Sequence, residues 1–579
     1  MTTASVADFL GHVKILSGVP LEVREEVAAE ALPVKLGQGE WLFRAGDAGS
    51  SAYVVQTGRL EVVAAGDVVI GEVKRGGVIG EFAALREEAR AASVRARRES
   101  DLLELRGETF TRLVREVPEF AVGLVRELAG QLAATRPVAP RAEAPAVVAV
   151  VGVEGGAPVG EVTERLTAGL RQYGVVARLG EAEWDRPSED LPAVLQTAEE
   201  RSDHVLLLGR SQSPSDPWTA FCLREADLVI AVASGPPARE WLARAADLRG
   251  CELIVTGSLL PRVVLEKFSP REVHVRSSLP ELLETVDALA RRLAGRSLGL
   301  VLSGGGARAF AHLGVVEELS AAGLRFDRFA GVSLGSVVAG SLAMGFEIEA
   351  IYERLVRHFV DENPSNDYTI PAIAVLRGRK TQRVLEEVMG DIHIEQLPAS
   401  FFCLSCDLVG RMPVLHRTGL LREALYASLA IPGVFPPVLP GDGRLLVDGG
   451  VLDNLPVKAM SGALEGPVVA SDVTARDGRW AQARRPGVQK LARPLRRVLT
   501  GSSEALPRLG ETLFRTFTLG SADTAAAARA YADLVVVPHV EGVGLMDWKQ
   551  LDRLREAGRV AARSALDASA STTRSWAVA

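Results

Sequence analysis

The chain has 579 residues, 47% of them hydrophobic and 24% charged, with a formal net charge of -7. That length exceeds one hydrophobic core and predicts roughly three or four domains. The acidic balance leaves no global footprint for nucleic acid, and four cysteines are too few for a disulfide framework, so a reducing interior is expected.

The N-terminal stretch MTTASVADFLGHVKILSGVP lacks a basic leader followed by an apolar run, and no run of about 18 apolar residues occurs. The expected location is the cytoplasm, with any membrane contact peripheral to its inner face.

Residues 31–106 alternate short apolar runs with glycines, the pattern of a compact β-roll or sandwich, and helical periodicity follows from Gly107. The proline-rich RPVAPRAEAP, 136–145, reads as a linker closing a first domain, 1–135.

Residues 146–295 then alternate apolar strands with helical segments, which predicts a Rossmann-like parallel α/β domain. Gly155–Gly160 has the spacing of a phosphate loop. Glu161 and Val162 occupy the lysine and hydroxyl positions, so nucleotide hydrolysis is not expected. This block reads as a structural or docking domain.

A second α/β pattern fills 296–579. LGLVLSGGGARAFAHLG predicts a strand, a glycine loop and a helix. Gly304, Gly305 and Gly306 can bring backbone N–H groups to an oxyanion, while Ala307 and Arg308 complete the loop. In FDRFAGVSLGSVV, Gly331 and Gly335 flank Ser333 on a strand–turn–helix, the setting of a nucleophile elbow. RLLVDGGVLDN puts Asp448 at a strand end before Gly449 and Gly450, where it can take a proton from a serine or simply form a turn. Asp453 and Asn454 read as loop caps.

A histidine base after Asp448 would have to be His539. His312 and His416 lie elsewhere in the pattern, and a Ser–Asp dyad is the alternative. Cys403 and Cys406 fit an apolar strand better than a zinc site, and no metal ligand set is found.

GGGAR, GVSLG, ASLAIPGVFPPV (427–438) and VDGGVLDNLPV, in this order, resemble a patatin-like phospholipase domain, closest to the bacterial relatives of neuropathy target esterase. NDYTIPAIAVLRGRK and ADLVVVPHVEGVGLMDW extend the likeness over most of 296–570. The resemblance implies a Ser333 nucleophile, an Asp448 base, an oxyanion hole at Gly304–Arg308, no catalytic histidine and no catalytic cofactor. The implied substrates are phospholipids or lysophospholipids. Ala309 stands where that family commonly has glycine. A Ser–Asp dyad needs desolvation to raise the carboxylate's proton affinity, so an apolar site is expected, with 370–376 and 429–439 as acyl-chain walls.

Residues 10–130 resemble a cyclic-nucleotide-binding domain through GEFAALREEARAASV. The likeness implies that Glu81 meets the ribose hydroxyl and Arg90 the cyclic phosphate, beside Gly80 and Ala91, with cyclic AMP or cyclic GMP as a regulator. Ala89 replaces the usual proline, and Glu87 and Glu88 add negative charge nearby.

Residues 476–497 carry eight Arg or Lys against one Asp, with Trp480 and Leu491 between them, and fit either an anionic lipid surface or a solvated loop. A hydrolase with a Ser333–His539 pair, and a non-catalytic nucleotide-responsive scaffold, are the competing readings.

Overall fold

The computed structural model describes residues 3–576 apart from 12, 38, 65–67, 82–88, 91, 125–145, 188–189, 211–212, 364–365, 371–372, 462–464 and 475–523. The linker 136–145, Ala91, Glu87, Glu88 and the basic stretch 476–497 therefore lie outside the described residues. The chain divides into two compact units. The first comprises 1–155, 174–231 and 237–249, and the second 156–173, 232–236 and 250–579.

In the first unit, alternation of apolar and polar residues produces a six-stranded antiparallel roll. Its strands are β1 (Leu32–Leu36), β2 (Trp41–Phe43), β3 (Ala52–Ala64), β4 (Val68–Lys74), β5 (Val78–Ile79) and β6 (Ser93–Leu105). The order β1-β6-β3-β4 carries β2 against β6 and β5 against β3. The same unit holds β7 (Val147–Gly152), β8 (Val176–Leu179), β9 (His204–Leu208) and most of β10 (Leu228–Ala233), in the order β10-β7-β9-β8. Buried on all six positions, β7 is a continuous apolar run, as a strand covered on both faces must be. All six strands of the expected 146–295 block form one sheet, in the order β12-β11-β10-β7-β9-β8, and β11 (Glu252–Thr256) with its parallel partner β12 (Glu272–Arg276) is counted in the second unit.

The second unit is built on a seven-stranded sheet. Its strands are β13 (Gly299–Leu302), β14 (Arg328–Val332), β15 (Ser400–Asp407), β16 (Met412–His416), β17 (Leu446–Asp448), β18 (Val468–Ser471) and β19 (Leu534–Val536). They lie in the order β16-β15-β14-β13-β18-β19, with β17 paired to β15. The four pairs β15–β14, β14–β13, β13–β18 and β18–β19 are parallel, whereas β16 and β17 run antiparallel to β15. Helices α1 (Ala311–Ala321), α2 (Leu334–Ala343), α3 (Leu421–Leu429) and α4 (Leu551–Ala568) contribute to the core that covers it. Cys403 and Cys406 are buried in β15, where an apolar strand places them.

Behind this sheet a buried ion cluster fastens β11 and β12 to the hydrolase block. The Arg292 guanidinium stands 3.1 Å from Glu252, 2.5 Å from Glu272 and 2.6 Å from Glu465. Burial alone would raise the Glu252 carboxyl, but the Arg292 charge overrides it and holds the group at about 2. Glu252, Glu272 and His274 are also the one trio of potential metal ligands among the described residues. Arg292 already supplies the cation they face.

Candidate active site

β13 and β14 are parallel neighbours, so the loops leaving their carboxyl ends emerge side by side, at the edge where open α/β sheets bind ligands. β13 runs into Ser303 and the glycine loop, and β14 runs into Ser333. Ser333 is the turn residue, with φ 52° and ψ -134°, a left-handed region that a side chain enters at a cost of roughly 1–3 kcal/mol. The flanking glycines make that turn possible. A Cβ on Gly331 would sit 2.5 Å from the Gly335 carbonyl oxygen, and one on Gly335 would sit 2.4 Å from that of Ser303. The elbow thus packs directly on the glycine loop.

The turn is held from both sides. Ser428 Oγ, at the end of α3, accepts from the Ser333 N–H at 2.9 Å, and the Ser336 hydroxyl donates to the Ser333 carbonyl at 2.6 Å.

Asp448 pairs in register with Ser405 near the carboxyl end of β15. Its Oδ1 accepts the Gly450 N–H at 2.8 Å, while Oδ2 is buried without a closed hydrogen bond. Burial lifts the carboxyl to about 6, against the opposing effect of the Ser333 hydroxyl and the Gly450 N–H. Serine and carboxylate thus sense one another without a completed bond, an arrangement that ligand binding tightens at many catalytic pairs. Both residues are buried. Gly449 allows the turn after Asp448, since a Cβ there would meet the Leu404 carbonyl oxygen at 2.4 Å.

The glycine loop lies against the serine. A Cβ on Gly304 would come 3.0 Å from Ser333 Cβ. Gly306 has φ 54°, and a Cβ on it would meet the Leu545 carbonyl oxygen at 2.4 Å. Residues 543–545 brace the loop: Ala307 N–H donates to Leu545 O at 2.8 Å and Arg308 Nε to Val543 O at 2.8 Å. The N–H groups of Gly305 and Gly306 donate to no acceptor among the described residues. Two backbone donors beside a buried serine suit a developing oxyanion.

Two residues in this site escape sequence reasoning. Ser428 is one. Asn454 is another: expected as a loop cap, it instead donates from Nδ2 to the Gly304 carbonyl at 3.0 Å and to Thr474 Oγ1 at 3.1 Å, tying the Asp448 loop to the glycine loop. His312 in α1 is a buried, satisfied histidine, with Nε2 2.9 Å from the Ser303 carbonyl and Nδ1 2.8 Å from Ser471 Oγ. Burial drives its pKa down to about 4, so it is neutral at pH 7. Nε2–H then donates to the carbonyl and Nδ1 accepts the serine hydroxyl.

His539 does not join the site. Its side chain is 75% exposed and faces Glu541 at 3.7 Å, whereas Ser333 is buried. His416 accepts or donates at Ser405 Oγ, 2.7 Å away, and burial lowers its pKa to about 4. Of the expected acyl walls, Leu429 lines an apolar cavity with Val337, Ile351, Phe359, Leu385 and Met389; Val337 lies one turn beyond Ser333. Ile370 and Ile373 point instead into solvent. The turn from Tyr368 to Leu376 folds the chain back on itself, which leaves both without a core to enter.

In the roll, Arg90 is buried and already engaged. It donates to Gly80 O at 3.2 Å and Ser51 O at 2.9 Å, and its guanidinium lies 4.2 Å from the Phe43 ring centroid. Desolvation lowers its pKa, with the Tyr53 and Glu104 charges opposing. Glu81 is buried in the same unit.

A family model described as patatin-like phospholipase matches residues 300–461, and one described as a cyclic nucleotide-binding domain matches 33–117. Sheet, loop and match together define a lipid ester hydrolase of the patatin-like class. An uncharacterized NTE family protein of Mycobacterium tuberculosis (strain CDC 1551 / Oshkosh) is 32% identical over 96% of this chain and 96% of its own, and the chain belongs to the NTE family. A lysophospholipase, nte1, of Aspergillus fumigatus is 25% identical over 91% of this chain and 41% of its own length. The cyclic-AMP-bound regulatory domain of a Toxoplasma gondii protein kinase A is 25% identical over 22% of this chain and 50% of its own, with a TM-score of 0.21.

Proposed function

We propose that the chain is a lysophospholipase or phospholipase working through a Ser333–Asp448 dyad. The observation that carries this reading is the buried Asp448 Oδ2, left without a closed hydrogen bond beside a strained serine. Asp448, ionised above about pH 6, takes the Ser333 hydroxyl proton as Oγ attacks the ester carbonyl. Gly305 and Gly306 N–H groups receive the oxyanion. Collapse of the tetrahedral intermediate breaks the ester bond, and the proton passes from Asp448 to the leaving alcohol. Water, deprotonated by Asp448, then attacks the acyl-Ser333 and releases the fatty acid, returning the proton to the serine. No cofactor enters these steps.

The relatives named as lysophospholipases support the substrate class. Fatty-acid release from lysophosphatidylcholine tests it: release abolished by Ser333→Ala supports the reading, and release unchanged by that substitution removes it.

The roll is proposed to regulate this activity by binding a cyclic nucleotide, with Arg90 turning from Ser51 O and Gly80 O to the phosphate. Calorimetry with cyclic AMP and cyclic GMP tests this: heat lost in Arg90→Gln supports the site, and no heat from the native chain at millimolar ligand rejects it.

A further inference from the structure

Four large apolar side chains stand in solvent on two joined stretches of the second unit. Ile370 is 85% exposed, Ile373 and Leu439 74%, and Tyr368 67%. Soluble surfaces rarely gather such residues without a use.

The stretches are held in place by backbone bonds. Thr369 N–H donates to Val375 O, and Val375 and Leu376 N–H donate to Gly433 O and Val434 O, each at 2.9 Å. Val438 then pairs with Leu446, leaving Leu439 just beyond the bridge. Beneath them Leu376, Ile431, Val434 and Phe435 form a closed apolar cluster. Ala430, the neighbour of Ile431, accepts the Asp448 N–H at 2.9 Å. The protruding residues are therefore anchored to the backbone of the candidate base.

The charge beside them is one-sided. Within 366–380 stand Arg377, Arg379 and Lys380, all exposed, against the single acid Asp367, in a chain of net charge -7. Asp367 is half-buried, and its Oδ2 accepts the Lys380 N–H at 3.3 Å. Asp442, near Leu439, is neutralised by Arg444.

Aliphatic side chains projecting next to a row of cations match the chemistry of an anionic bilayer, whose headgroups attract the charges and whose acyl boundary takes the side chains. We propose that Tyr368, Ile370, Ile373 and Leu439, with Arg377, Arg379 and Lys380, form the face by which the enzyme docks on an anionic lipid surface. This deepens the lipid-hydrolase reading and rests on it, since docking there brings the dyad's rim to its substrate.

The test is flotation of the full chain with vesicles of phosphatidylcholine, with and without phosphatidylglycerol, for the native protein and for the Ile370→Ser/Ile373→Ser double variant. The native chain is expected to float with the phosphatidylglycerol vesicles, and the double variant to lose about tenfold or more in binding. Turnover of water-soluble p-nitrophenyl butyrate should remain near native in the variant, showing an intact fold and site. Equal flotation of the two proteins overturns the proposal, as does failure of the native chain to float. A shift in association state on substitution also overturns it, since the face would then meet a second copy. Loss of ester turnover in the native chain would instead fail the hydrolase reading, because vesicle binding is scored without it.

Discussion

The elbow around Ser333 and the segment around Arg90 both rest on a motif with family spacing, yet they are built differently. At the elbow, polar groups are held in reserve: Asp448 Oδ2 lacks a closed bond, and the Gly305 and Gly306 N–H groups have no described acceptor. In the roll the diagnostic cation is partly committed: two guanidinium nitrogens donate to Gly80 O and Ser51 O and Phe43 lies over the group, while Nε is buried without a partner. A site with unused donors and acceptors can stabilise charge as it develops, without reorganising. A cation that lends two of its nitrogens to its own backbone must first give up those partners, which lowers the apparent affinity of any ligand that needs them.

The sharpest way to break this contrast is to spoil the reserve. Gly306→Ala would drive a Cβ to 2.4 Å from the Leu545 carbonyl oxygen, so the loop must move. Ester turnover should fall by about 10²–10³-fold while the protein remains folded by circular dichroism. His312→Ala acts one step back, since it frees the Ser303 carbonyl and the Ser471 hydroxyl. Turnover should fall by up to about 10²-fold through misplacement of the loop, with KM changed less than kcat. Because His312 is already neutral, the pH profile of the surviving activity should keep its shape.

That profile sharpens the contrast further. Asp448 acts as a base only when ionised, so kcat/KM should be flat above about pH 6 and fall about tenfold per unit below it.

The same burial carries a stability cost. The folded carboxyl titrates near 6 and the unfolded one near 3.8, so the folded state holds an extra proton between those values. Stability conferred by that proton is present at low pH and lost as pH rises through 6. Asp448→Asn should therefore raise stability at pH 8 by about 2–3 kcal/mol and leave it nearly unchanged at pH 3.5, read by denaturant melts. The smallest effect belongs to the roll. Arg90→Gln should cost about 1–2 kcal/mol in the absence of ligand, because the guanidinium braces Ser51 and Gly80; no change would mean those contacts do not hold the free domain.

What the sequence carried was local. GGGAR and GVSLG follow apolar runs that become the adjacent strands β13 and β14, and their glycines stand where backbone meets backbone. The residues it missed act across long separations. Ser428 reaches Ser333 from 95 positions away, and Asn454 reaches Gly304 from 150. No periodicity encodes such a pair, and an Asn after an Asp reads as a turn residue until the sheet order is known. Ile370 and Ile373, expected in an acyl-chain wall, stand in solvent for a related reason: an apolar run does not reveal the turn that exposes it. The Arg292 cluster is a further case: its carboxylates at Glu252, Glu272 and Glu465 are again distant in sequence.

The central claim is that Ser333 is activated by Asp448 and by no histidine. The direct measurement is the rate of covalent labelling by a fluorophosphonate, with the adduct located by peptide mass spectrometry, in the native chain, Asp448→Asn and His539→Ala. The account predicts an adduct on Ser333, formed at the native rate in His539→Ala and at least about 10²-fold more slowly in Asp448→Asn. Native-rate labelling of Asp448→Asn, or loss of labelling in His539→Ala, would contradict it.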